Sequence, residues 1–227
     1  MPATTTLTAR AVLLDMDGTL VDSDAVVERC WRRWAADQGL EAEYVLAHVH
    51  GRQAHATMAL LLPDRPAELN LADNRRMLAE ETTDTGGIVP VPGAPALMSA
   101  LAGHPHALVT SADEALTLAR MAAAGLPIPA VRVTAESVIV SKPDPEGFLK
   151  AAAELGRGPG DCVVLEDSRA GIEAGRAAGM RVVGVGPRAA FLGPDVHVPT
   201  LESVRVEALE GGLLRLHCAT AERGPRE

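Results

Sequence analysis

The stretch VLLDMDGTLVDS, residues 12–23, carries the strongest indication of the fold in this sequence. Its first three residues are apolar and suit a buried strand, whereas Asp15 and Asp17 follow one residue apart and precede a Gly-Thr pair. Two carboxylates this close repel each other unless a positive charge lies near both. The stretch therefore predicts a buried strand whose end presents two acids, and other parts of the chain are expected to supply the compensating charge.

Similar apolar runs recur along the chain and predict a sheet. Runs rich in β-branched residues lie at 11–14, 106–109, 162–165 and 181–185, with weaker strand candidates at 130–134 and 196–204. Helical segments separate the later runs, at 92–103, 113–125, 144–156 and 168–179. Because strands that alternate with helices are typical of α/β folds, we predict a doubly wound parallel sheet with helices on both faces.

The interval between the first two runs is too long for a single strand-to-strand crossover. It is mostly helical in pattern up to residue 83 and then becomes rich in Gly and Pro. We therefore predict an inserted all-helical domain at 24–88, within a core formed by 1–23 and 89–216. The remaining residues, 217–227, are expected to form a disordered tail.

The composition limits the classes of partner. The chain has 227 residues, of which 47% are hydrophobic and 22% charged, so a sizeable core is expected. Its formal net charge of -9 and pI of about 5.3 argue against general binding of nucleic acid or of anionic membranes. A small anion can still bind such a chain where a pocket is locally positive.

Three further features concern the cellular setting. Cys30, Cys162 and Cys218 are far apart and odd in number, so we predict unpaired thiols in a reducing compartment. The first ten residues lack the apolar region of a signal peptide. No apolar stretch approaches the roughly 18 residues that a membrane span needs. We therefore expect a cytoplasmic protein, and no feature of the sequence requires more than a monomer.

Polar residues follow several of the predicted strands, at the point where each strand ends. In open α/β sheets, ligands bind beyond the carboxyl ends of the strands, so these residues are expected to meet. They are Asp15, Asp17, Thr110, Ser111, Glu166 and Asp167, with Lys142 in a Ser-Lys-Pro-Asp-Pro turn. Because such a crowd of carboxylates needs a cation, and hard oxygen ligands suit Mg²⁺, we predict a Mg²⁺ site. Its expected ligands are Asp15, the Asp17 carbonyl, Asp167, and Glu166 either directly or through water.

The remaining groups in this set fit phosphoryl transfer. A carboxylate can attack phosphorus and form an aspartyl-phosphate, and a second acid can protonate the leaving oxygen and later deprotonate the attacking water. The groups expected to bind the phosphoryl oxygens are Lys142, the Thr110 hydroxyl, and the backbone N–H groups near Met16, Asp17 and Ser111. The substrate class that follows is a small phosphorylated metabolite.

Four sequence motifs resemble those of the haloacid dehalogenase superfamily, in its Mg²⁺-dependent phosphatase branch. They are DMDGTLVDS, LVTS, the lysine of SKPDP, and VLEDSRAGIEAGRAAG, and together they span about 11–186. The resemblance implies a Rossmann-like core with a helical cap inserted after the first strand. It also implies a role for each matching residue: Asp15 as nucleophile, Asp17 as acid/base, Thr110 and Lys142 as phosphate-binding, and Glu166 and Asp167 as metal ligands.

The inserted segment bears on the substrate. Residues 28–54 are similar to sugar-phosphate and polyol-phosphate phosphatases, including the glycerol phosphatase group. Within this segment we predict that the loop at 48–53 contacts the substrate, with Gly51 allowing close approach and Arg52 binding sugar hydroxyls or phosphate oxygens. The dehalogenases of the superfamily lack the second motif acid and need no metal, so Asp17 argues against dehalogenation.

Two alternatives to a phosphatase are open at this point. A phosphomutase of the β-phosphoglucomutase type resembles the chain in fold and motifs, but mutases of that branch usually have His where Val27 stands here. A phospho-accepting signalling domain also combines an acid cluster, a Thr and a Lys around Mg²⁺. Such a domain needs neither a large helical insertion nor a second acid beyond the phosphorylated one.

Overall fold

The computed structural model describes residues 3–220. The strands are β1 (Thr4–Ala9), β2 (Ala11–Leu14), β3 (Val21–Asp22), β4 (Val89–Pro90), β5 (His106–Val109), β6 (Val131–Val133), β7 (Cys162–Glu166), β8 (Arg181–Val185), β9 (Val196–Val198), β10 (Val204–Ala208) and β11 (Leu214–Ala219). The helices are α1 (Asp24–Gln38), α2 (Ala42–Leu46), α3 (Ala54–Leu61), α4 (Ala67–Thr83), α5 (Ala94–Leu101), α6 (Glu114–Ala123), α7 (Glu146–Glu154), α8 (Arg169–Ala177) and α9 (Gly186–Ala189).

A six-stranded parallel sheet lies at the centre, in the order β6-β5-β2-β7-β8-β9. Every residue of β2 is buried, because helices cover both faces of the sheet. Successive side chains of a strand point to opposite faces, so Val12 and Leu14 pack in one apolar cluster and Ala11 and Leu13 in another. The predicted α/β fold is therefore confirmed, with the weaker candidates providing the two edge strands, β6 and β9.

A second sheet was not predicted. β1, β11 and β10 form a three-stranded antiparallel sheet, in that order. Leu214, Leu216 and Cys218 are buried, whereas the residues between them are half-buried, so β11 packs one face against the core. The expectation of a disordered tail from residue 217 is therefore wrong for 217–219, and residues 221–227 of that tail lie outside the described residues.

Helices α1–α4 occupy the interval between β3 and β4. These two short strands pair antiparallel, so the chain leaves the core and returns to it at adjacent positions. The inserted helices have an apolar cluster of their own, in which Trp31 and Trp34 pack edge to face with ring centroids 5.4 Å apart. Both tryptophans are buried, as expected for residues of a small helical core.

Two glycines of α8 serve different purposes. A Cβ atom at Gly175 would lie 2.8 Å from Cγ2 of Val182, so glycine allows the helix to pack closely on the sheet. A Cβ atom at Gly171 would instead collide with the carboxylate of Glu166. The small-residue pattern of this helix therefore reflects both sheet packing and space for an acid.

Two expectations about the chain can be checked directly. Cys30, Cys162 and Cys218 are buried and unpaired, as predicted. Within residues 3–220, no helix is both long enough and apolar enough to cross a membrane.

Candidate active site

Lys142 links residues from three separate segments at the carboxyl edge of the parallel sheet. Its ammonium nitrogen lies 2.6 Å from Oδ1 of Asp15 and 2.8 Å from Oε1 of Glu166, and it donates to the Val109 carbonyl at 3.0 Å. Burial acts to lower the pKa of Lys142, but the two carboxylates outweigh burial and raise it. The lysine is therefore charged and compensates part of the acidic cluster.

Asp15 lies directly beyond the end of β2 and is almost fully buried. Its N–H donates to the Leu165 carbonyl at 3.1 Å, which continues the pairing of β2 with β7 by one residue. Burial raises the pKa of Asp15, the Glu166 carboxylate raises it further, and Lys142 acts in the opposite direction. A further cation near this carboxylate would favour its ionised form.

Glu166 is the last residue of β7, Asp167 follows it directly, and the two acids have different partners. Oε2 of Glu166 accepts from the N–H and the hydroxyl of Ser168 at 2.7 and 2.9 Å, while Oε1 faces Lys142. Oδ2 of Asp167 accepts from the Arg188 guanidinium at 2.7 and 2.8 Å. Burial, followed by the charge of Glu166, raises the pKa of Asp167 to about 7, with Arg188 opposing.

The acids in this cluster fit a divalent metal ion. Asp15, Glu166 and Asp167 each offer a carboxylate oxygen, and these three atoms lie within 4.8 Å of one another. Hard oxygen donors of this kind suit Mg²⁺. Lys142 and Arg188 compensate only part of the charge of three carboxylates, so a metal ion would complete the balance. Within the described residues, one oxygen each of Asp15 and Asp167 has no protein hydrogen bond and is available as a ligand.

The Asp17 carboxylate is directed away from this cluster. Its Oδ1 accepts from the Ser23 hydroxyl at 2.7 Å, and its Oδ2 lies 2.8 Å from Nη1 of Arg120. The other amino group of Arg120 lies 2.5 Å from Oε2 of Glu81, on α4. The two acids of the opening motif therefore have separate surroundings, and metal binding by Asp17 through its main-chain carbonyl stays a prediction.

Backbone N–H groups are available beside Asp15. Among residues 3–220, those of Met16, Asp17 and Ser111 make no backbone hydrogen bond. The Thr110 hydroxyl oxygen accepts from the Ala112 N–H at 3.1 Å, which leaves its own hydrogen free to donate. The Ser111 hydroxyl instead donates to the Gly51 carbonyl at 3.1 Å. The Ser111 hydroxyl is therefore engaged, and the Met16 side chain is apolar and buried. Each of these residues can bind an anion only through its backbone N–H group.

The turn after Asp17 requires glycine. Gly18 has φ of +81°, a region that L-residues with a side chain rarely adopt. A Cβ atom there would also collide with the Asp167 carboxylate and with Arg188. The Gly18 N–H donates to the Val21 carbonyl at 2.7 Å, which closes the turn and orients the preceding N–H groups.

The loop at 48–53 lies over the carboxyl edge of the sheet, next to the acidic cluster of Asp15, Glu166 and Asp167. Gly51, with φ of +80°, approaches so closely that a Cβ atom would collide with the Ser168 hydroxyl, and Gln53 donates to the Ala135 carbonyl at 3.3 Å. Between this loop and the sheet edge is a cavity of about 80 Å³. Its lining includes Asp15, Asp17, Thr110 and Ser111 from the core, and Trp31 and Arg52 from the inserted segment.

The structure thus brings Asp15, Lys142, Glu166 and Asp167 into one cluster and places Asp17, Thr110, Ser111 and Arg52 on the cavity. It also adds four residues that the sequence analysis missed: Ser23, Glu81, Arg120 and Arg188. Arg188 lies just beyond the end of β8, so extending the strand-end rule to that strand would have indicated it. Arg120 and Glu81 lie inside helices, where no local pattern distinguishes them from residues of a solvated face.

Comparisons with known proteins agree with this geometry. Hexitol phosphatase A of Escherichia coli (strain K12) is 45% identical over 178 residues, covering 78% of this chain and 82% of that protein. Glycerol-1-phosphate phosphohydrolase 1 of Saccharomyces cerevisiae is 32% identical over 225 residues, covering 91% and 89%. A β-phosphoglucomutase structure from Clostridium difficile has a TM-score of 0.76 over 87% of this chain and 93% of that chain, and its 20% identity shows the fold alone.

A family model covers most of the globular part of the chain. The model of haloacid dehalogenase-like hydrolases matches residues 9–179, which contain the strand-end acids, Lys142 and the inserted helices. Together with the 45% identity to a hexitol phosphatase, this match confirms the resemblance seen in the four motifs. The chain belongs to the haloacid dehalogenase-like hydrolase family.

Proposed function

We propose that this protein is a Mg²⁺-dependent phosphatase that hydrolyses a small sugar or polyol phosphate through an aspartyl-phosphate on Asp15. The observation that supports it most strongly is the joining of Asp15 to Glu166 by the Lys142 ammonium, beside free backbone N–H groups. The family match and the phosphatase relatives confirm the prediction of a phosphoric monoester hydrolase. The two named relatives act on a hexitol phosphate and a glycerol phosphate, which supports the substrate class.

Binding of the phosphoryl group uses fixed donors. The Thr110 hydroxyl and the N–H groups of Met16, Asp17 and Ser111 donate to its oxygens, and Lys142, whose three ammonium hydrogens face Asp15, Glu166 and the Val109 carbonyl, attracts them through its positive charge. Because these donors are already in place, they stabilise the charge of the transition state without rearrangement. One oxygen of the Asp15 carboxylate attacks the phosphorus and forms the aspartyl-phosphate as the bond to the leaving oxygen breaks, and the other oxygen of that carboxylate would be the metal ligand.

Asp17 serves the leaving group. It faces the cavity beneath the inserted helices, where the rest of the substrate lies, so it protonates the departing oxygen. Once the alcohol has left, the same carboxylate deprotonates the water that hydrolyses the aspartyl-phosphate. Two acids in different surroundings thereby perform different tasks, as their separate partners allow.

The groups that would hold Mg²⁺ are the Asp15 carboxylate, the Asp17 carbonyl and the Asp167 carboxylate. Glu166 would contribute through a water molecule rather than as a direct ligand. A bound Mg²⁺ offsets the repulsion between the carboxylates and the anionic phosphate. Glu166 orients Lys142 and Ser168, which use both of its oxygens.

We propose that residues 24–88 form a cap that encloses the leaving group and selects the substrate. This proposal is supported by their separate apolar cluster and by the loop at 48–53, which places Arg52 on the cavity. A cap of this kind excludes water during the reaction. We still predict that the enzyme is monomeric and cytoplasmic, and that it binds a small phosphorylated metabolite and neither nucleic acid nor membranes.

A panel of phosphomonoesters tests the function. With Mg²⁺, the purified protein is expected to release phosphate from sugar and polyol phosphates of about three to six carbons, with kcat/KM as the measure of preference. Removal of Mg²⁺ by a chelator should abolish release, and Mg²⁺ in excess should restore it. No release from any compound would contradict the proposal.

The same panel separates the two alternatives. Isomerisation of a sugar 1-phosphate to its 6-phosphate without net phosphate release would indicate a mutase. The cavity argues against this outcome, because Val27 lines it at the position where a mutase of this type has histidine. A stable aspartyl-phosphate that persists in solution would indicate a signalling domain.

Substitution of Glu166 and of Asp167 should affect Mg²⁺ affinity unequally. Asp167→Asn is expected to weaken Mg²⁺ binding by about 100-fold, and Glu166→Gln by about tenfold or less. The reason is that Asp167 has an oxygen available for the metal, whereas both Glu166 oxygens already accept hydrogen bonds from the protein. Isothermal titration calorimetry measures both affinities directly.

The control for this comparison is Glu173→Gln, which changes an exposed acid on α8, the helix that begins shortly after Asp167, and should leave Mg²⁺ affinity unchanged. Equal losses of Mg²⁺ affinity for Asp167→Asn and Glu166→Gln, or a larger loss for Glu166→Gln, would show that Glu166 contributes to Mg²⁺ binding as a direct ligand.

A further inference from the structure

A buried row of charges connects Asp17 to the inserted helices through Arg120. Arg120 is only 3% exposed and lies in the last turn of α6. One amino group of its guanidinium lies 2.8 Å from Asp17, and the other lies 2.5 Å from Glu81 near the end of α4. All three residues line the cavity above Asp15. The row therefore spans from the core to the inserted helices along one wall of the site.

The two partners of Asp17 restrict its rotation. Arg120 binds one carboxylate oxygen and the Ser23 hydroxyl binds the other. A carboxylate with both oxygens engaged cannot turn about its last torsion without breaking a hydrogen bond. Asp17 nevertheless stays partly exposed, with 28% of its side chain accessible toward the cavity, so a ligand can still reach it.

The energetics of Arg120 point to the site rather than to stability. Its Nε is buried and, within the part of the chain that the structure describes, has no hydrogen-bond partner. A buried donor without a partner costs free energy, and buried ion pairs often stabilise no better than apolar side chains of similar size. Packing alone would be served as well by an apolar residue at this position.

We propose that Arg120 is a positioning residue that fixes the Asp17 carboxylate against the leaving group, and that Glu81 holds Arg120 from the inserted helices. This inference rests on the proposed function, in which Asp17 is the acid/base. Arg120 acts here through Asp17, and the phosphate is bound by other groups. Glu81 makes the position of Arg120 depend on how α4 packs against α6.

Kinetics of Arg120→Met should separate turnover from binding. We expect kcat to fall by about tenfold, because a misplaced acid/base reduces the fraction of productive geometries. KM should stay within about twofold of the wild-type value, since Lys142, Thr110 and the backbone N–H groups are unchanged. Arg120→Lys keeps the buried positive charge, but a single ammonium group cannot reproduce the two contacts that the planar guanidinium makes with Asp17 and Glu81. An intermediate kcat is therefore expected.

A double-mutant cycle with Asp17→Asn gives the decisive readout. If Arg120 acts through Asp17, then Arg120→Met should lower kcat little further once Asp17→Asn is present. A residue with a merely structural role would lower kcat by the same factor in both backgrounds. The matched control is Arg132→Met, which removes a half-exposed guanidinium paired with Glu114 and should leave the kinetics unchanged.

Folding is checked in parallel. Because Arg120→Met leaves Glu81 buried without its partner, Arg120→Met/Glu81→Gln removes the second charge as well and should show the same loss of kcat. If Arg120→Met does not fold, this double variant and Arg120→Lys take its place in the cycle.

Two results would overturn the inference. One is a rise in KM with unchanged kcat for Arg120→Met, which would make Arg120 a substrate-binding group. The other is that Arg120→Met lowers kcat by the same factor in the wild-type protein and in Asp17→Asn. Either result leaves the phosphatase proposal intact, since the wild-type protein would still release phosphate. Absence of phosphate release by the wild type would instead contradict the proposed function itself.

Discussion

Asp15→Asn is expected to abolish phosphate release, with kcat lowered by about 10⁴-fold or more. An amide oxygen is a poor nucleophile toward phosphorus, so no covalent intermediate can form on this side chain. The substitution keeps an acceptor for Lys142 and removes a buried carboxylate whose pKa is raised, so the fold should be retained. Steady-state phosphate release and acid-quenched detection of the phosphoenzyme measure the two consequences separately.

The control for this substitution is Asp64→Asn, which makes the same chemical change at an exposed turn between α3 and α4. It should leave kcat and KM at their wild-type values. Phosphate release by Asp15→Asn at a rate comparable with the control would show that another group is the nucleophile, and the proposed mechanism would then be wrong.

Asp17→Asn is expected to slow turnover by about 10²-fold or more, because the leaving oxygen would depart without a proton and the water would lack its base. Mg²⁺ affinity should be largely retained, since the Asp17 side chain faces Ser23 and Arg120 rather than the other acids. Steady-state kinetics and calorimetry on the same preparation test both statements. The combination distinguishes Asp17 from Asp167, whose substitution should remove the metal as well.

Asp22→Asn is a suitable comparison for Asp17→Asn, because it lies five residues away on β3 and its side chain is a hydrogen-bond acceptor for a backbone N–H. It should leave turnover unchanged. An unchanged turnover number for Asp17→Asn would refute the acid/base role, and a large loss of Mg²⁺ affinity would show that its carboxylate affects the metal.

The parallel sheet could be predicted because its strands are buried on both faces. The run at 11–14 is apolar along its whole length and the run at 181–185 is apolar after Arg181, and the structure has strands with the same bounds. The antiparallel sheet was not predicted because only one face of its strands is buried, so its strands are not continuous apolar runs. β1 reads TTTLTA, with threonines on the exposed side, and β11 alternates between buried and half-buried residues.

The core of the candidate site was predictable for a related reason. Residues at the carboxyl ends of parallel strands must meet at one edge, so the strand order was enough to bring Asp15 and Glu166 together, whereas Lys142 lies well beyond β6 and was indicated by its motif. The partners of Asp17 were not predictable in this way. Arg120 and Glu81 meet because α4 packs on α6, and contacts between helices distant in sequence leave no local pattern.

The antiparallel sheet has a consequence for the protein as it is being made. β1 leaves the ribosome well before β11, its neighbour in the sheet, because the rest of the core and the inserted helices separate the two strands in the chain. Translation proceeds at roughly 5–20 residues per second, so β11 is synthesised about 10–40 s after β1. During this interval the apolar side of β1 lacks its partner strand. Leu7 is the apolar side chain most affected, and the threonines around it keep that early segment hydrated in the meantime.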